Sequence, residues 1–192
     1  MPLSPLLSNF FLGEFDLAVR KQGLNMIRYA DDIIVFCDSK QECEVAEVFI
    51  RQRLDGLGLG IPPLGEKKTF ITPPEESALF LGVHLKKRDN EYVKAIPQNT
   101  VTKILENKGR YKDMGFCLDE KLNFAGAISM FKNQLQGYRA SYKGTENLDS
   151  FIQGYEAKSK QVVEHLLMAL FGENVVKSLS EQKRKFLGLF LP

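Results

Sequence analysis

Apolar residues in the first part of the chain recur at two spacings, one typical of helices and one typical of strands. Between residues 6 and 19 the spacing is helical, which predicts one helix with Ser4 and Pro5 at its start. Two short apolar runs, at 24–27 and 33–36, enclose a polar turn. This pattern predicts a β-hairpin directly after the helix.

A second helix and a second group of strands follow the hairpin. The apolar spacing predicts a helix over about residues 40–57, capped at residues 38–39. A short strand is predicted at 69–71, and the runs 78–85 and 91–96 predict another hairpin. The residues expected on the inner face of the helix are Val45, Val48, Phe49 and Leu54.

After Pro97 the strand patterns end and helical patterns replace them. We therefore expect an α+β fold, in which residues 1–96 form a mixed or antiparallel sheet with helices on one face. Residues 97–192 are expected to form an all-helical bundle with its core at about 162–171. The helices predicted there cover residues 99–109, 119–142, 147–171 and 174–187.

Composition places the chain among ordinary globular proteins. Of its residues, 44% are hydrophobic and 26% are charged. A chain of 192 residues is long enough to bury a core. No apolar run is long enough to span a membrane, and no signal-peptide pattern is visible. The three cysteines form no metal-binding pair, and this usage suits a reducing compartment. We therefore expect a cytoplasmic protein with no membrane partner.

Basic residues concentrate in one part of the chain, although the net charge is only +2. Residues 86–112 hold eight basic and three acidic residues, and residues 136–143 interleave basic with aromatic side chains. Such segments can contact phosphate groups, but they are also typical of a solvated face or of tyrosines packed on neighbouring helices. The candidate contacts with a nucleic-acid backbone are Lys86, Lys87, Arg88, Arg139 and Lys143.

The candidate chemistry lies in the turn of the first hairpin, which reads Tyr29-Ala30-Asp31-Asp32. Adjacent carboxylates repel each other, and a divalent cation removes that repulsion. Mg²⁺ held by one or two carboxylates and a substrate phosphate is a common arrangement for nucleotidyl transfer. Aspartate is also a common turn residue, so the pair alone is also consistent with a turn that only faces solvent. Arg28 beside it is either a phosphate contact or a surface residue.

Four short motifs resemble those of reverse transcriptases and follow one another in the order of that family. The turn at 29–32 is similar to the YxDD box, in the YADD form typical of bacterial and group II intron enzymes. Residues 2–9 resemble the segment that follows the PQG motif. Residues 66–69 resemble the EKT motif, and residues 80–83 resemble the FLG primer grip.

This resemblance implies an RNA-directed DNA polymerase that adds deoxynucleotides to a primer 3′-hydroxyl. Asp31 and Asp32 would be catalytic and would hold Mg²⁺, for which Mn²⁺ can substitute. Lys68 would assist departure of pyrophosphate. The implied partners are an RNA template, a DNA or RNA primer and deoxynucleotides. Contacts with nucleotide or primer are implied for Ser4, Pro5, Tyr29, Ala30, Phe80, Leu81 and Gly82.

The resemblance also predicts how the chain is divided. Residues 1–96 would be the C-terminal part of the palm, and residues 97–192 a thumb-like domain. The family's third aspartate and its fingers precede such a segment, so we expect this chain alone to be inactive and to self-associate or need the missing portion. The alternative is a truncated or split relative that binds nucleic acid or a partner chain without catalysis. Group II intron, retron, CRISPR-linked and phage-defence classes are not separated by the sequence.

Overall fold

The computed structural model describes residues 3–66, 69–89 and 91–187, with the side chains of residues 3–5 left out. The chain divides into two compact units, Met1–Leu81 and Gly82–Pro192. Antiparallel strands and helices both occur, so the predicted α+β class is confirmed. Among the described helices, none combines the length and apolarity needed to cross a bilayer.

In the first unit, two helices precede one hairpin along the chain and a third helix follows it. The single helix predicted over residues 6–19 is divided at Leu12, so that prediction was wrong in extent. The predicted hairpin and the following helix are confirmed, and the Ser39 hydroxyl accepts a hydrogen bond from the N–H of Glu42 at 3.2 Å. The elements are α1 (Leu3–Phe11), α2 (Gly13–Lys21), β1 (Asn25–Tyr29), β2 (Asp32–Phe36), α3 (Lys40–Asp55) and β3 (Ser77–Phe80).

Helices α2 and α3 share one core with a single face of the hairpin. Phe15 of α2 and Ile50 of α3 are buried in this cluster, and Met26, Ile33 and Val35 of the hairpin pack against it. Because side chains alternate along a strand, the other hairpin face carries Ile27, Tyr29 and Asp32. That second face is open, since Ile27 is 52% exposed and Tyr29 is 66% exposed.

Two further predictions for this unit were wrong. Helix α3 buries Ala46, Ile50 and Leu54, whereas Val45 and Val48 of the predicted inner face are exposed. No strand forms at residues 69–71. The N–H of Thr69 donates to the Glu66 carbonyl, and its own carbonyl accepts from Gly65, so a local turn occupies the groups that a strand would need.

The second unit begins with a hairpin and continues as a helical bundle. Its strands are antiparallel, with His84 opposite Ala95 and Arg88 opposite Glu91. The run predicted as one strand over 78–85 is two strands, separated by Leu81 and Gly82. The elements are β4 (Val83–Arg88), β5 (Glu91–Ala95), α4 (Gln98–Arg110), α5 (Met114–Asp119), α6 (Phe124–Ser141), α7 (Leu148–Phe171), α8 (Glu173–Lys177) and α9 (Glu181–Phe186).

Helix α5 and the gap between α8 and α9 were not predicted, and the predicted helix over 119–142 begins too early. Lys121 has a positive φ of 57°, which ends α5, and the side chain of Asn123 accepts from the N–H of Gly126 at 2.7 Å to begin α6. The apolar core predicted at 162–171 is confirmed over 162–167, where Val162, Val163, Leu166 and Leu167 are buried. Leu170 and Phe171 are exposed, so the prediction extended too far.

Tyr138 of α6 and Tyr142, which directly follows that helix, are packing residues. Tyr138 contacts the rings of Tyr142, Phe151 and Tyr155, with centroids 5.4–6.2 Å apart. Such edge-to-face and stacked pairs stabilise a bundle beyond the area they bury. Of the two interpretations of the aromatic–basic segment, the structure therefore supports packing for the tyrosines.

Candidate active site

The register of the first hairpin places two carboxylates at its tip. Tyr29 pairs with Asp32, which leaves Ala30 and Asp31 as a two-residue turn. Ala30 has a positive φ of 54°, a conformation that glycine adopts freely at the first central position of such turns. For alanine it costs about 1–2 kcal/mol, so surrounding contacts must hold it in place.

Both carboxylates are open to a ligand. Asp31 and Asp32 are exposed, and no hydrogen bond or ion pair to either side chain occurs within the part of the chain that the structure describes. Asp32 lies on the open face of the hairpin with Tyr29, away from the helices. Two uncompensated negative charges at successive positions attract a cation.

The pair fits a divalent cation that also takes ligands from a substrate. Carboxylate oxygens are the ligands that Mg²⁺ prefers, and it commonly keeps water and phosphate oxygens in its remaining positions. Over the described residues there is no group of three or more His, Cys, Asp or Glu that could hold a metal. Asp31 and Asp32 therefore suit an open Mg²⁺ or Mn²⁺ site rather than a closed structural one.

Arg28 connects this turn to the two helices behind it. Its Nε and Nη2 atoms donate to the two carboxylate oxygens of Asp16 at 2.8 and 2.5 Å. Nη1 and Nη2 both donate to the Asn9 side-chain oxygen at 3.3 Å, and Nη1 also donates to the Ala30 carbonyl at 2.9 Å. The Arg28 side chain is only 9% exposed, so neither the surface nor the phosphate-contact interpretation describes it.

Arg28 and Asp16 form a partly buried ion pair, since the Asp16 side chain is 38% exposed. The hydrogen bond to Asp16 raises the pKa of the Arg28 guanidinium above its ordinary value, burial opposes that rise, and attraction to the carboxylate adds to it. A bidentate pair of this kind is geometrically specific. Because Asp16 already neutralises Arg28, the charge on Asp31 and Asp32 remains available to a cation.

Sequence reasoning did not identify the group formed by Asn9, Asp16 and Arg28. One signal was present, because period-two alternation places Arg28 on the same face of β1 as the core residue Met26. A buried arginine requires an acidic or carbonyl partner. The alternation could thus have indicated a partner, although not which residue supplies it.

The predicted primer-grip residues form a separate tight connection. Phe80 is half-buried and Leu81 is 48% exposed. Leu81 and Gly82 both have positive φ, at 48° and 78°. A Cβ at Gly82 would meet no atom within 4 Å, so the backbone conformation rather than crowding favours glycine there. No described hydrogen bond joins these residues to the turn at 29–32.

Several other predicted site residues cannot be placed. Lys68 lies outside the described residues, and so do the side chains of Ser4 and Pro5 within α1. Their roles stay predictions.

The basic residues of the second unit differ in how far their charge is already compensated. Arg88 pairs with Glu146 and Arg139 pairs with Glu156, each at 3.0 Å. The remaining candidates are exposed, with no acidic partner among the residues described; they are Lys86, Lys87 and Lys143.

Lys108, counted in the basic segment 86–112, does not lie on the surface. It is 3% exposed, and its Nζ lies 3.4 and 3.8 Å from the ring centroids of Phe131 and Tyr155. It donates to the Tyr155 hydroxyl at 2.6 Å. Burial lowers the pKa of Lys108 to about 7, so this residue belongs to the core and not to a phosphate-binding surface.

Comparison with known proteins gives a match, which covers the first part of the chain. A search of curated proteins finds no match. The family model described as "Reverse transcriptase (RNA-dependent DNA polymerase)" matches residues 1–85, which include the catalytic-turn candidates and the segment at 80–82. The first 85 residues of the chain are therefore similar to the reverse transcriptase family.

Proposed function

We propose that this chain is the C-terminal palm and the thumb of a bacterial RNA-directed DNA polymerase, of the group II intron or retron-like kind. The observation that carries the proposal is the pair of exposed carboxylates, Asp31 and Asp32, at a hairpin tip within the segment similar to reverse transcriptases. The four motifs in family order support it. Under this proposal residues 1–96 are palm and residues 97–192 are thumb.

Each residue of the turn has a chemical role in this proposal. Asp31 and Asp32 hold Mg²⁺, which when bound activates the primer 3′-hydroxyl and neutralises charge on the leaving pyrophosphate. Tyr29 lies beside Asp32 on the open face and offers its ring to the primer end or the incoming nucleotide. Lys68 neutralises charge on pyrophosphate as it departs. Phe80, Leu81 and Gly82 hold the primer end.

Loss of either carboxylate is expected to weaken metal binding to the purified chain. Asp31→Asn and Asp32→Asn each remove one negative charge and one hard oxygen ligand, so we expect the Mn²⁺ affinity to fall by at least about tenfold. Water proton relaxation in a Mn²⁺ titration measures this affinity. Asp38→Asn is the matched control, because Asp38 is an exposed aspartate beyond the other end of β2. Equal affinity in all four proteins would contradict the proposed site.

A second candidate function is binding of nucleic acid, or of a partner chain, without catalysis. It is favoured by the absence of a third metal-ligating side chain near the pair within the described residues. Binding to a template–primer duplex would then depend on exposed lysines of the second unit and would not require Asp31 or Asp32.

Duplex affinity is expected to fall steeply with salt if those lysines contact phosphates. Log K falls with log salt concentration, and each phosphate contact makes that slope steeper by about 0.9. The double variant Lys86→Gln with Lys87→Gln should therefore have a slope that is shallower by nearly two. Fluorescence anisotropy of a labelled RNA–DNA duplex measures it. Arg88→Gln is the control with a smaller expected change, because Glu146 already pairs with Arg88. A slope unaffected by both lysines would exclude them as contacts.

A further inference from the structure

We propose that Arg28, anchored by Asp16 and Asn9, is a positioning residue that fixes the Tyr29–Asp32 turn in the conformation that presents its two carboxylates. The inference rests on the function proposed for that turn. It assigns to Arg28 a role in the reaction without contact with the substrate. Three observations carry it, concerning the anchor, the backbone and the charge.

The guanidinium is anchored on every side. Its five N–H groups make five hydrogen bonds. Nε and Nη2 each donate to Asp16, Nη2 and Nη1 each donate to Asn9, and Nη1 also donates to the Ala30 carbonyl. Asn9 belongs to α1 and Asp16 to α2. Helix α2 packs in the same core as the hairpin, so Asp16 and the turn belong to one packed unit.

The bond to Ala30 acts at the strained point of the turn. Ala30 is the residue with φ of 54°, and its carbonyl, which accepts from Nη1 at 2.9 Å, belongs to the peptide that leads into Asp31. Holding that oxygen fixes the plane of the Ala30–Asp31 peptide. The direction in which Asp31 leaves the turn is thereby set by Arg28.

The positive charge of Arg28 is neutralised by Asp16 within the anchor. Asp16 binds it through both carboxylate oxygens, and no bond joins the guanidinium to Asp31 or Asp32. A free arginine beside the pair would compete with a metal ion for the carboxylates. The ion pair therefore supplies geometry to the turn and leaves its negative charge in place.

The backbone of the turn can be followed by NMR in the 192-residue chain. Arg28→Met removes the anchor and retains an apolar stem, so the amide shifts and the H–N–Cα–H coupling of Ala30 and Asp31 should change. The matched control is Arg51→Met, since Arg51 makes a similar fork to Glu47 and to the carbonyl of Ile61 without touching the turn. An unchanged turn in Arg28→Met would overturn the proposal, as would an equal change in the control.

A double-mutant cycle separates positioning from general stability. Arg28→Met should weaken Mn²⁺ binding by about tenfold in the wild-type background. In the Ala30→Gly background, where the positive φ carries no strain, the same substitution should weaken it by less than about threefold. Equal losses in both backgrounds would overturn the proposal. If Arg28→Met fails to fold, Asp16→Asn replaces it, with a smaller effect in the same direction.

The two readouts keep this inference distinct from the proposed function. Failure of the wild-type chain to bind Mn²⁺ at the turn would contradict the metal site. In that case the positioning role still stands or falls on the NMR comparison of Arg28→Met with Arg51→Met. A turn that responds only to Arg28 supports positioning, and a turn that responds to neither overturns it.

Discussion

Replacing Asp31 by asparagine is expected to reduce nucleotide incorporation by about 10²–10³-fold or more in a polymerase that contains this chain. The substitution keeps the size of the side chain and removes the charge that holds a cation at the hairpin tip. The Asp31 side chain is exposed and makes no hydrogen bond or ion pair with any described residue, so the fold should not change. Single-nucleotide extension of a primer on an RNA template measures the loss.

The affinity for the duplex should stay nearly constant in the same variant. Phosphate contacts come from basic residues, and the two carboxylates act in the chemical step. Asp38→Asn, as the control, should incorporate nucleotide at the wild-type rate. Activity of Asp31→Asn within a few-fold of wild type would contradict a catalytic role for the turn, and an equal loss of duplex affinity would move that role from chemistry to binding.

Lys108→Met is expected to abolish a rise in stability between pH 7 and pH 9. In the folded chain burial lowers the pKa of Lys108 to about 7, whereas in the unfolded chain the ammonium keeps its ordinary pKa near 10.5. Between these values the unfolded state binds more protons, so the free energy of unfolding increases with pH. Below pH 7 both states are charged, and the folded state bears the full cost of burying the ammonium.

The expected rise is on the order of 2 kcal/mol across those two pH units. Urea unfolding of the wild-type chain and of Lys108→Met at several pH values measures it, and the difference between the two isolates Lys108 from other titrating groups. Lys103→Met, at an exposed position on the same helix, should retain the wild-type pH dependence. Parallel stability curves for wild type and Lys108→Met would contradict a deprotonating lysine in the core.

Local patterns predicted the parts of the fold that depend on neighbouring residues. The hairpin follows from alternation, and the cap of α3 follows from Ser39, whose hydroxyl bonds to the first turn of its own helix. The turn at 29–32 was predicted for the same reason. A two-residue connection between apolar strands admits few conformations.

Features that depend on distant residues were not predictable in the same way. Apolar residues occur over a wide arc of α3, so the side that faces the core depended on α2 and the hairpin, and Ala46 was buried instead of Val45. The strand predicted at 69–71 had suitable residues, but turn bonds at Thr69 occupy its backbone. Arg28 meets Asp16 across 12 positions of sequence, a separation that no local spacing rule covers.

The location of a bound divalent cation on the 192-residue chain tests the account most directly. Trace Mn²⁺ broadens the NMR signals of nearby amides, so a spectrum recorded during titration maps the site residue by residue. The account predicts broadening centred on Asp31 and Asp32, lost in the Asp31→Asn variant and retained in Asp38→Asn. Broadening centred elsewhere, or broadening at the turn that survives Asp31→Asn, would contradict the metal-binding role of these carboxylates.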